Sequence, residues 1–172
     1  AQFSLGSLYY RGVGVKEDPK RACELYKLAA DQGHHDAQFN LGKMYAIGIG
    51  KGVIQSDELA FKYFKLCAEQ GLASAQSCVG VYYANGTGVE QSDTKACEFY
   101  TLAADQGDRH AQYNLGYMYE HGRGVIQTDE LALKYFKLSA EAGFANAQLN
   151  VGSYYANGTG VEQSFANARE WW

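Results

Sequence analysis

The 172-residue sequence predicts an all-α protein, a right-handed α/α superhelical solenoid of stacked helix-turn-helix repeats. Three observations lead there. Ala-Gln pairs recur at Ala1-Gln2, Ala37-Gln38, Ala75-Gln76, Ala111-Gln112 and Ala147-Gln148, in steps of 36, 38, 36 and 36 residues. Inside each step, apolar residues twice follow the 3.6-residue spacing of an amphipathic helix. Both helical patterns run into glycine. A fixed period of this length marks a repeat array, because one hairpin cannot bury its apolar face and a stack of them can. The array is expected to be one domain over 1–172, with repeats at 1–36, 37–74, 75–110, 111–146 and a partial repeat at 147–172. The longer step carries two extra residues inside Gly48-Ile49-Gly50-Lys51-Gly52. Segments 53–92 and 125–164 agree at 31 of 40 positions, so the duplicated unit is a pair of repeats.

The first helix of each repeat begins near the Ala-Gln pair. Ala1, Leu5, Leu8 and Tyr9 form one stripe, matched by Ala37, Leu41, Met44, Tyr45 and by Ala111, Leu115, Met118, Tyr119. Gly6, Gly42, Gly80, Gly116 and Gly152 recur within it. A mid-helix glycine costs about 1 kcal/mol relative to alanine, so its recurrence predicts a neighbour too close for a Cβ. The connection that follows reads Gly-x-Gly-Val, as at Gly12-Val13-Gly14-Val15 and Gly86-Thr87-Gly88-Val89, a tight turn closed by an inward valine. The second helix carries Ala22, Tyr26, Ala29, Ala30 and, two repeats on, Ala96, Tyr100, Ala103, Ala104. Asp18, Ser56, Ser92, Thr128 and Ser164 stand where an N-cap oxygen would meet orphan N–H groups. Pro19 suits the first turn. Gly33, Gly71, Gly107 and Gly143 suit left-handed C-caps. Asp36, Ser74 and Asn146 are expected to cap the next first helix, with His110 the exception. Trp171 and Trp172 share frame positions with Phe99 and Tyr100 and read as core.

Composition narrows the function. The formal net charge of −4, with pI near 5.5, argues against nucleic acid, whose phosphates require clustered Lys and Arg. A basic membrane-binding face is disfavoured for the same reason. No stretch approaches the roughly 18 apolar residues of a membrane span. No signal peptide is visible, because Ala1 opens directly into a helical pattern; the start looks cut, so the compartment is not readable. No cofactor is implied. His34, His35 and Asp36 lie in one inter-repeat turn and His110 in another a repeat pair away, too far to share a metal ion, so no metal site is expected. The Gly48–Gly52 segment lacks phosphate-loop spacing and reads as a loop insertion. Asn85-Gly86-Thr87 and Asn157-Gly158-Thr159 match the glycosylation sequon, and Asn-Gly is equally a turn dipeptide.

The pattern Ala-x-x-x-Leu-Gly-x-Leu-Tyr-x-x-Gly-x-Gly-Val, then Ala-x-x-x-Tyr-x-x-Ala-Ala-x-x-Gly, resembles the Sel-one-like repeat family. In the first repeat it is carried by Ala1, Leu5, Gly6, Leu8, Tyr9, Gly12, Gly14, Val15, Ala22, Tyr26, Ala29, Ala30 and Gly33. Tyr82 and Tyr154 depart from it at an aliphatic position, and Cys67 and Ser139 at an alanine. The resemblance implies a tetratricopeptide-like solenoid used as a scaffold or adaptor in secretion, quality control, signalling or host–microbe contact. One cysteine-rich branch of the family has been linked to β-lactam binding, which draws notice to Ser92-Asp93-Thr94-Lys95. That serine stands at a helix N-cap, and no Ser-Asp-Asn or Lys-Thr-Gly partner motif accompanies it. The same branch bridges comparable helices by disulfides. A Cys67–Cys78 bond is sterically conceivable, although the branch's second cysteine would fall nearer Gln76, and thiols are favoured. Cys23 and Cys97 stand two repeats apart and read as packing residues.

Function is expected where otherwise similar repeats differ. In the first helix the third, seventh, tenth and eleventh positions vary and share one stripe. They read Phe3, Ser7, Tyr10, Arg11; Phe39, Lys43, Ala46, Ile47; Ser77, Val81, Ala84, Asn85; and Tyr113, Tyr117, Glu120, His121. This stripe is the expected concave groove for a protein or peptide partner, with Phe39, Tyr113 and Tyr117 as aromatic anchors. The third-position aromatics have a second reading, as packing against the adjacent repeat. The function expected is therefore a non-enzymatic interaction scaffold. A β-lactam-like binder or hydrolase and a structural spacer are the alternatives. End-to-end self-association is expected wherever an apolar end face is left open.

Overall fold

The computed structural model describes residues 1–49 and 52–172; Gly50 and Lys51, at the centre of the expected two-residue insertion, lie outside the described residues. Ten α-helices occupy the described residues: α1 Gln2–Arg11, α2 Pro19–Ala30, α3 His35–Ile47, α4 Asp57–Glu69, α5 Ala73–Asn85, α6 Asp93–Ala104, α7 Arg109–His121, α8 Asp129–Glu141, α9 Ala145–Asn157 and α10 Phe165–Trp171. The only strand-like feature among them is a single antiparallel bridge between Ile49 and Val53. The helices fall into two compact units, Ala1–Gln91 with α1 to α5 and Ser92–Trp172 with α6 to α10. Within each unit every helix packs on the next in sequence, as hairpins laid side by side.

Side-chain caps start the second helices. Asp18 accepts from the Arg21 N–H, Ser56 from Leu59, Ser92 from Lys95 and Ser164 from Asn167. Thr128 departs from the expectation: it stands at the N-cap of α8, but its hydroxyl turns away and donates to the Ile126 carbonyl at 3.1 Å. The first helices correct the sequence reading more broadly. Four of them, α3, α5, α7 and α9, begin two residues earlier than expected, so Asp36, Ser74 and Asn146 lie inside the first turn, and the cap positions fall on His34, Leu72, Asp108 and Phe144. Only Asp108 caps with its side chain, accepting from Ala111 N–H at 2.8 Å. His34 and Phe144 are placed by ring packing instead: His34 stacks on Phe3 at 4.5 Å and Phe144 meets Tyr113 edge-on at 5.0 Å.

The recurring mid-helix glycine is a contact site for an aromatic ring. A Cβ on Gly6, Gly42 or Gly116 would lie 2.9, 2.6 or 2.7 Å from the rings of Tyr26, Phe64 or Phe136 on the second helix of the same repeat. The ring settles directly on the backbone, and the hairpin closes tightly enough to exclude any side chain. Around these contacts lie Ala22, Ala37, Leu41 and Met44 in the first unit and Ala132, Ala147 and Val151 in the second, all buried. Stacked tyrosines continue the layer, Tyr45 on Tyr63 at 5.8 Å and Tyr119 on Tyr135 at 5.6 Å.

The glutamines of the four later Ala-Gln pairs tie neighbouring repeats together. Gln38, Gln76, Gln112 and Gln148 donate Nε2–H to the carbonyls of Ala30, Ala68, Ala104 and Ala140, at 3.3, 3.3, 3.3 and 3.4 Å. These carbonyls belong to the last turn of the preceding second helix, where no intrahelical donor remains. The loops before α4, α6, α8 and α10 also reach back. Gly124, at φ +70°, rests on the backbone of Asp93 and Thr94, so both its conformation and the space around it exclude a side chain.

Two sets of expected core residues are open to solvent. Leu5 and Leu8 are each 41% exposed, whereas their equivalents Leu41 and Met44 are at most 2% exposed. Trp172 lays its ring over Gly152, as Phe136 does over Gly116, yet is 64% exposed and so is only half a core residue. Trp171 packs on the core of the second unit as expected.

Candidate partner-binding face of the first helices

The variable stripe separates into two layers. Its third-position aromatics are half-buried and engaged by neighbours. Phe3 packs on Tyr26 at 5.6 Å, Phe39 on Phe64 at 5.6 Å, and Tyr113 on Phe136 at 5.5 Å and on Phe144. They are neither closed off nor free to act as deep anchors. Ser77 is 6% exposed and offers no surface, and Ala84 is likewise buried. The seventh, tenth and eleventh positions form the outer layer. Ile47 is 68% exposed, Tyr10 40% and Tyr117 38%, with Arg11, Lys43, Asn85 and His121 exposed beside them and Ser7, Val81 and Glu120 half-buried.

The two units treat this layer differently. In the second unit it is bonded into a network. His121 stacks on Tyr117 at 4.1 Å, its Nδ1 lies 3.0 Å from the Tyr117 carbonyl oxygen, and Glu120 stands 3.4 Å away. Glu120 Oε1 accepts from the Tyr154 hydroxyl at 2.9 Å; burial first, and then that bond, raise the Tyr154 phenol above its ordinary value. Arg123 grips Asp93 through Nε and Nη2 at 3.2 and 2.7 Å, a forked pair that raises its own pKa further. In the first unit the layer holds contacts of another kind. Ser7 accepts from the Tyr26 hydroxyl at 3.1 Å and donates to the Phe3 carbonyl, and the Lys43 ammonium lies 6.0 Å over the Phe39 ring.

A second exposed row had no place in the sequence reading. Leu28, Leu66, Leu102 and Leu138 occupy one frame position on the second helices and are 37–50% exposed. The signal was available, since a leucine recurs in every complete repeat outside the alanine-tyrosine stripe. The other sequence features resolve simply. Ser92 spends its lone pair on the Lys95 N–H as a helix cap. Cys67 is buried and Cys78 half-buried, with no disulfide among the described residues. Burial pushes the Cys67 and Cys97 thiols up to about 11, which disfavours nucleophilic thiolate. No group of His, Cys, Asp and Glu among the described residues converges on a metal position. Among the described residues no helix is long and apolar enough to cross a membrane.

An array of antiparallel helical hairpins, closed by a ring on glycine at Gly6, Gly42 and Gly116 and tied to the preceding repeat by a glutamine, defines an all-α repeat protein of the solenoid class. The chain belongs to the Sel1 repeat family, whose model matches at residues 1–34, 35–72, 73–108, 109–144 and 145–172. A protective antigen of uropathogenic Escherichia coli displaying an SLR fold is 38% identical with a TM-score of 0.95, over 99% of this chain and 36% of that one. A Sel1 repeat protein from Oxalobacter formigenes is 34% identical with a TM-score of 0.92, over 99% and 67%. Protein sel-1 homolog 2 of Mus musculus is 44% identical over 52 residues, which is 29% of this chain and 7% of that protein. The chain thus spans a small part of the curated relative and about a third of the antigen. The family is one of protein-interaction modules, generally without catalysis.

Proposed function

We propose that this chain is a non-enzymatic scaffold that takes a protein or peptide partner along the concave face lined by its first helices. One observation carries this reading. Residues that close the hairpins repeat and are buried, whereas Tyr10, Ile47 and Tyr117 differ in kind from repeat to repeat and leave large side chains in solvent on one helix face. Aromatic and aliphatic side chains on a rigid support are effective anchors, because little conformational freedom remains to be lost on binding. The test is capture by the immobilised chain, compared with an Ile47→Ala/Tyr117→Ala double variant and with a Leu28→Ala/Leu66→Ala control. Specific loss of the same captured proteins in the first variant alone supports the reading. Equal capture by all three, or loss in the leucine control alone, overturns it.

A further inference from the structure

Tyr10, Tyr26, Asn40, Lys43 and Met44 surround a small niche of about 30 Å³ between α1 and α3, room for one polar group rather than a side chain. The Tyr26 hydroxyl is committed to Ser7. The Asn40 amide, the Lys43 ammonium and the Tyr10 hydroxyl have no hydrogen-bond or ion-pair partner among the described residues, so the niche carries one cation, unengaged donors and no carboxylate.

The repeat frame supplies a comparison within the same chain. Between α7 and α9 the equivalent positions are Glu120, Phe136, Asn150, Ser153 and Tyr154. There the chain provides the acceptor itself: Glu120, in the place of Tyr10, takes the Tyr154 hydroxyl hydrogen at 2.9 Å. In the first unit that carboxylate is replaced by Tyr10, and Ser153 is replaced by Lys43. The acceptor is removed and a cation is added at one stroke. Between the second and third repeats the same positions are Ala46, Phe64, Cys78, Val81 and Tyr82, which hold no charge.

We infer that the α1–α3 niche receives the side-chain carboxylate of a glutamate or aspartate from an acidic peptide, in the position that Glu120 fills for its own chain. Lys43 and Asn40 donate to its two oxygens in charge-assisted bonds, and Tyr10 covers it. Arg11, exposed and adjacent to Tyr10, faces a second acidic residue of the peptide. The positive local charge contrasts with the net charge of −4 and steers an acidic segment to this end of the face. This inference rests on the scaffold reading above and adds the chemistry of the partner.

The experiment selects a library of random dodecapeptides on the purified chain and measures the recovered peptides by fluorescence anisotropy. The expected result is enrichment of acidic peptides whose affinity falls at least tenfold on Glu→Gln in the peptide. The same loss is expected with Lys43→Met or Asn40→Leu. Tyr10→Glu, which copies Glu120 and occupies the niche from within, should also abolish binding while circular dichroism reports an unchanged helical fold. Peptides that bind without an acidic residue, or that ignore all three variants, overturn the niche and leave the scaffold reading standing. Recovery of no binding peptide overturns both.

Discussion

A methyl group at Gly42 would sit 2.6 Å from the ring of Phe64, closer than carbon atoms can pack. Helix propensity favours alanine there by about 1 kcal/mol, whereas overpacking a rigid contact costs about 1–3 kcal/mol. Gly42→Ala should therefore lower stability by up to about 2 kcal/mol, read from urea unfolding. The recurrent glycine announced a close neighbour in the sequence; that the neighbour is a ring on the partner helix depends on packing across the hairpin. Gln112 offers the reverse case. Its Oε1 is buried without a hydrogen-bond partner among the described residues, whereas Gln38 Oε1 accepts from Gln70 Nε2 at 2.7 Å. Ala142 stands where Gln32 and Gln70 stand in earlier repeats, so the donor is missing. Ala142→Gln should restore it and raise stability by about 1 kcal/mol, with an unchanged or lower urea midpoint as the contrary result. The buried thiols set a pH dependence. Cys67 and Cys97 are pushed up to about 11 from 9.0, mainly by burial, so the unfolded chain loses these protons first as the pH rises. The stability contributed by these thiols should be level below pH 9 and fall between about pH 9 and about 11. Cys67→Ala should flatten that decline in urea melts at pH 8 and 10.5.

Helix starts show how far an element can be read from its own residues. Asp18, Ser56, Ser92 and Ser164 were legible as caps because the oxygen that meets the orphan N–H lies in the local sequence. His34, Leu72 and Phe144 were not, because no side-chain hydrogen bond marks them and, for His34 and Phe144, a ring contact from another helix fixes the position. Among the first helices α7 alone has a side-chain cap. Asp108→Ala should cost about 1 kcal/mol, and hydrogen exchange should show the gain in opening concentrated in the first turn of α7. Uniform destabilisation of the whole second unit, with no local effect, would contradict that assignment.

At the scale of the molecule, periodicity made the fold legible, since five copies average out local ambiguity that a single hairpin would leave. The candidate face was legible only in part. Variation picked out Tyr10, Ile47 and Tyr117, but it could not separate them from Phe39 and Tyr113, whose rings are half taken by neighbours, or from Ser77, which is buried. Leu5 and Leu8 are exposed on α1, and concentration-dependent association of the 172-residue chain through them is the expected outcome. Sedimentation velocity should show it and Leu5→Glu/Leu8→Glu should suppress it; a monomer at every concentration would contradict it. The measurement that tests the central claim most directly is hydroxyl-radical footprinting of the chain with and without its captured partner. Protection is predicted at Tyr10, Ile47 and Tyr117, with Leu28, Leu66, Leu102 and Leu138 unchanged. Protection of that leucine row with the three first-helix residues still fully reactive would contradict the account.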